Sequence, residues 1–162
     1  MRNSINGAWL LAIVMVFMMI FIGYVTVAFN YSKAYRMKDE LLSAIEYYQG
    51  VNDRTLIKMA KVAKKYGYHK MKNCPDDYVG FDLNNVNAAP VRCIDPKRKS
   101  SICIHRTIRY TSKDTRYYYK MLVFFGFSLP GFNEVYSFNV LGETTAIYYP
   151  VDKDYFKGCS DS

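Results

Sequence analysis

Ala8 to Phe29 reads AWLLAIVMVFMMIFIGYVTVAF, 22 residues without a charged side chain, inside an uncharged stretch that runs from Asn3 to Ser32. A helix rises about 1.5 Å per residue, so this length crosses a hydrocarbon core of about 30 Å. In lipid every backbone polar group must find its partner within the segment, which makes helix the form of a single span. Trp9 and Tyr31 stand near its two ends, where amphipathic rings favour the interface. A cleaved secretory signal is the competing reading. Its apolar region is usually about 7–15 residues long and closes on a small-x-small site. This run is longer and no Ala-x-Ala follows it. The expectation is a retained anchor in contact with membrane lipid.

Two features bear on orientation. Arg2 is the one charged side chain before the span, whereas Lys33, Arg36 and Lys38 follow it. A positive-inside count therefore puts the C-terminal domain in the cytoplasm. The cysteines argue the other way. Cys74, Cys93, Cys103 and Cys159 all fall in the part beyond the span, an even number in a small domain. That is the pattern of a disulfide framework in an oxidising compartment. Asp39 and Glu40 also dilute the basic flank. The expected topology is single-pass in the cell membrane, N-terminus inside and C-terminal domain outside. Four cysteines allow three connectivities. Cys93 and Cys103 flank nine residues containing Asp95-Pro96, which suits a hairpin loop and leaves Cys74 to pair with Cys159.

No Pro or Gly interrupts the chain between Val25 and Gln49, so the span is expected to continue as one helix to about Tyr48, about 60 Å in all. Ala34, Met37, Leu41, Ala44 and Tyr48 recur at helical spacing and form one stripe. The stripe suits packing against the protein's own sheet or against a neighbouring subunit. Asn52 or Asp53 and then Gly67 bracket a second helix, with Leu56, Met59, Ala60 and Ala63 on one face. Its other face carries Lys58, Lys61, Lys64 and Lys65, either solvated or turned towards an anionic lipid or polymer. Residues 68–100 are rich in Asn, Asp, Pro and Gly, and short strands are expected at Tyr78–Asp82 and Val91–Ile94. From Ser101 the chain reads as three long strands with turns at Thr111–Thr115 and Phe132–Glu134, an antiparallel meander. Gly142 within the last strand suggests a bulge or bend. The fold class is α+β: a transmembrane helix continuing into a long extracytoplasmic helix that covers the sheet. The corresponding divisions are a short N-terminus at 1–7, the span at 8–29, the helix extension at 30–50 and a disulfide-stapled α+β domain at 51–162.

The chain offers little for catalysis. It has no G-x-S-x-G, no H-E-x-x-H, no phosphate-binding glycine loop and no dinucleotide fingerprint. The cysteine spacing contains no C-x-x-C pair, the usual zinc-chelating unit. Cys103 and His105 lie two apart on a strand and share a face, which leaves a thiol nucleophile as the remaining enzymatic option. Asp152 and Asp154 form an Asp-x-Asp pair without the glycine and distal Glu of a calcium loop, and read as a solvated tail. Asp76-Asp77 reads as a turn. With 22 Lys+Arg against 14 Asp+Glu the chain is basic, at +8. The consecutive Tyr117, Tyr118 and Tyr119 alternate between faces of a strand, however, and do not form a stacking row for nucleic acid. The expectation is a protein that is not an enzyme and needs no cofactor.

The segment AIVMVFMMIFIGYVTVAFNYSKAYRMKDELLSAIEYYQG resembles TadE-like pilus-assembly proteins, in which an apolar span leads through an aromatic and basic junction into a Leu- and Ala-rich helix. SFNVLGETTAIYYP is similar to the closing strands of such proteins from low-GC Gram-positive bacteria. The whole layout resembles the pilin-like plan. The resemblance implies a structural or assembly component of a pilus-like or secretion apparatus, with other pilin-like subunits or platform proteins as partners. A tethered module that binds a cell-wall polymer or partner protein is the alternative. Type IV prepilins carry a Glu five residues after the cleavage-site Gly. Here the fifth residue after Gly7 is Ala12, and no acidic residue occurs in the span. An unprocessed N-terminus is therefore expected.

Overall fold

The computed structural model describes residues 2–67, 72–75, 77–81, 99–128 and 135–152. One helix, α1 (Arg2–Tyr47), opens the chain and runs unbroken for 46 residues, about 70 Å. A second, α2 (Asp53–Tyr66), follows a tight turn. The strands are β1 (Lys72–Asn73), β2 (Val79–Gly80), β3 (Lys99–Ser100), β4 (Ile102–Tyr110), β5 (Thr115–Ser128) and β6 (Val135–Glu143). An antiparallel sheet of four takes the order β2-β4-β5-β6, and β1 pairs separately with β3. The fold is α+β, a long apolar N-terminal helix with an antiparallel sheet packed on its C-terminal half.

The start and stop of α2 have local causes. Asn52 is extended and its Oδ1 accepts from the Thr55 amide at 3.0 Å, satisfying a first-turn donor. Gly67 takes the left-handed conformation at φ 69°, and its N–H donates to the Ala63 carbonyl. The turn into α2 needs Gly50, at φ 123°, where a side chain would also meet the Tyr119 hydroxyl.

The core lies between the helices and one face of the sheet. Ala34, Met37, Leu41 and Ile45 of α1 meet Met59 of α2, Ile102 and Ile104 of β4, and Tyr119, Met121, Val123 and Phe125 of β5. Alternation along β5 puts these odd-numbered residues towards the helices. The opposite face carries a smaller cluster of Cys74, Cys103, Leu122 and Phe124. The other half of α1 is different: residues 7–22 are exposed throughout.

Of the two packings that suit the stripe of Ala34, Met37, Leu41, Ala44 and Tyr48, the structure has the one within the chain: the first four are buried in its own core and Tyr48 is half-buried. Another expectation is corrected. Gly142 makes no bulge, because β5 and β6 pair in one continuous register from Lys120↔Glu143 to Ser128↔Val135. A Cβ at Gly142 would lie 2.6 Å from both Leu42 Cδ1 and Lys38 Cδ. The glycine leaves room for α1 to press close against the sheet. The expected strand at Tyr78–Asp82 reduces to β2. The strand at Val91–Ile94 and the turn at Phe132–Glu134 lie outside the described residues.

Candidate functional site

The surface that bears on function begins where α1 leaves its apolar half. Thr26 donates to the Ile22 carbonyl at 2.8 Å and Asn30 to the Thr26 carbonyl at 2.9 Å, so both side chains satisfy themselves on their own helix. One turn on, Lys33 and Arg36 are exposed. Lys38 is not. It lies buried against the sheet, its Nζ 2.9 Å from Asp39 and 3.7 Å above the centre of the Tyr35 ring. Burial opposes its charge, but the bonds to Asp39 and Tyr35 outweigh this and raise its pKa above the ordinary lysine value. Of the three cations that follow the apolar run, Lys33, Arg36 and Lys38, one is thus paired in place.

An open groove beside this junction is closed on one side by α2. Glu40 accepts from the Tyr66 hydroxyl at 2.6 Å and from Lys65 Nζ at 2.9 Å, pinning the end of α2 to α1. These two bonds, Tyr66 first, hold the Glu40 carboxyl below its usual range. Of the lysine face, Lys58, Lys61, Lys64 and Lys65 are all exposed, with Lys65 engaged by Glu40.

A bond between Cys74 and Cys103 staples the segment before β2 to β4, with Cα atoms 5.7 Å apart. This corrects both expected pairings, Cys93 with Cys103 and Cys74 with Cys159. Neither could be chosen from spacing, because β2 pairs with β4 and sets Gly80 opposite Cys103, beside Cys74. Cys93 and Cys159 lie outside the described residues. The thiol-nucleophile reading falls with this bond, because an oxidised Cys103 has no thiolate. His105 is half-buried on the same face. Its Nδ1 is 2.7 Å from the Asp77 carbonyl and its ring lies against Tyr78. Among the described residues no group of three His, Cys, Asp or Glu side chains is placed to hold a metal.

Sequence reasoning missed the polar centre of the domain. The Asp152 side chain is 1% exposed, not solvated. It accepts from the Tyr119 hydroxyl at 2.7 Å and from Arg106 at 2.8 Å. Tyr119 is fully buried, and that burial, reinforced by Asp152, pushes its phenol far above the ordinary range. The segment after β6 is brought there by pairing of Ile147 with Tyr117 and by the bond from the Val151 amide to the Gln49 carbonyl. No spacing in the sequence signals this triad, because its members are joined only through the sheet and the closing segment. Asp154 lies outside the described residues.

Comparisons with protein-family models, with curated proteins and with solved structures return no match.

Proposed function

We propose that this chain is a non-enzymatic, single-pass membrane protein that serves as a structural or assembly component of a pilus-like or secretion apparatus. The observation that carries the reading is α1 itself. One half is apolar and bare on every side, the other is consumed by a disulfide-stapled domain. A bare apolar helix of this length has two fitting environments, lipid and the apolar helices of like subunits. The stripe from Ala34 to Ala44 is already taken, so contacts between subunits fall to the span. The N-terminus is inside and the domain outside, where a disulfide persists. The alternative, a tethered module for a cell-wall polymer or partner protein, draws on the exposed Lys58, Lys61 and Lys64.

A photo-crosslinking residue at Met15, in the middle of the span, tests the assembly reading in intact cells. Adducts between copies of the chain, or with a second single-span subunit, are expected. Adducts to lipid alone would overturn it in favour of the tethered module.

A further inference from the structure

We infer that the end of the sheet where β5 and β6 meet is a second membrane contact, seated in the lipid interface beside α1. This rests on the reading of α1 as a membrane span. Three contacts set the level of the sheet along the helix. Tyr31 packs edge-on to Phe125, 6.5 Å between ring centres, and Phe125 stacks on Phe138 at 5.8 Å. Further from the span, Gly142 lies against Lys38 and Leu42. Further still, Glu46 accepts from the Thr145 amide at 2.7 Å. The order 31, 38, 46 on α1 thus matches 138 and 142 on β6 and 145 just after it, and the two run side by side in the same direction.

The β5–β6 pair does not stop at the Phe125 level. It continues three residues towards the span, to Ser128 opposite Val135. At about 3.3 Å per residue this is about 10 Å. The same distance along α1 is six or seven residues, which leads from Tyr31 back to about Val25. Along α1, Gly23, Val25, Thr26 and Val27 are half-buried, whereas residues 7–22 are exposed.

The bilayer reaches the same level. Asn3, Ser4 and Asn6 limit the span at its start. Residues 7–22 supply 16 apolar positions, about 24 Å, and a hydrocarbon core of about 30 Å needs about 20. The missing turn is the one at Gly23–Thr26, alongside which the strand ends lie. Among the described residues, beyond Val123 β5 pairs with β6 alone, a two-stranded ribbon whose outer backbone edges suit the hydrated interface and not the hydrocarbon, while Thr26 and Asn30 bond to their own helix. The half-exposed ring of Phe138 sits just above it, and the exposed Lys33 and Arg36 stand at the height of the headgroups.

The test uses the full-length chain, whose one tryptophan is Trp9, with Trp9→Phe as background. Single tryptophans are introduced as Ser128→Trp, Phe138→Trp, Met15→Trp and Tyr149→Trp, and the proteins are placed in phosphatidylcholine–phosphatidylglycerol vesicles containing lipid brominated at the shallow 6,7 or the deep 11,12 position. The expected result is quenching of the position-128 tryptophan by shallow bromines, weaker quenching at 138, deep quenching at 15 and none at 149. Quenching at 15 with none at 128 or 138 would overturn the proposal and leave the anchor standing. Absence of quenching at 15 would overturn the anchor and the proposal with it. Should Phe138→Trp fail to fold, the position-128 readout decides alone.

Discussion

The hydroxyl of Tyr119 donates to the carboxylate of Asp152 across 2.7 Å, although 33 residues separate them and neither is exposed at its side chain. With Arg106 on the same oxygen, this bond closes the domain by holding the segment after β6 against the middle of the sheet.

Tyr119→Phe is expected to destabilise the domain by about 1–3 kcal/mol, because Asp152 keeps its burial and loses a donor. Urea unfolding of the detergent-solubilised full-length protein measures it. Unchanged stability would show that the hydrogen bond adds nothing net.

The same phenol predicts an alkaline weakness. Its folded pKa lies above the ordinary phenol value, by burial first and the Asp152 bond second, so the folded state holds the proton more tightly. Its stabilisation is complete below about pH 10 and is lost as the pH climbs towards the folded value. The decline in stability above pH 10 should be shallower in Tyr119→Phe than in the native chain.

Glu40 acts at the other end of the pH scale. Its folded pKa is lowered by Tyr66 and Lys65, so its contribution is present above the ordinary glutamate value and fades as the pH falls through the folded one. The pair is partly solvent-exposed and salt-screened, so the effect is small. Glu40→Gln should flatten the acid limb of the stability profile, and the difference should shrink in high salt.

Non-reducing peptide mapping is expected to recover Cys74 joined to Cys103. Cys103→Ser should lower stability by about 3–4 kcal/mol, the loop-closure value for residues 29 apart in sequence. Recovery of Cys103 joined to Cys93 would contradict the register between β2 and β4.

At Gly142 a side chain must displace Lys38 or Leu42, both buried. Gly142→Val is expected to cost about 1–3 kcal/mol by overpacking, and Gly142→Ala less. Equal stability of all three would mean that α1 is free to lift from the sheet.

Local chemistry by itself determined the helices and the long strands. The uncharged run, the absence of any breaker up to Gln49, the Asn52 cap and Gly67 stop, and the alternation along β4, β5 and β6 all act within a few residues of where they are read. Cross-strand and helix–sheet relations are of another kind, since they depend on which segments become neighbours. That is why the partner of Cys103, the burial of Asp152, the neutralised Lys38 and the close approach at Gly142 were decided only in the tertiary structure. The stripe on α1 shows the boundary between the two. Its spacing dictated that Ala34, Met37 and Leu41 be buried together, whereas the sheet of the same chain, not a neighbouring subunit, came to cover them because β5, β6 and the residues just after β6 run alongside α1 from Tyr31 to Glu46.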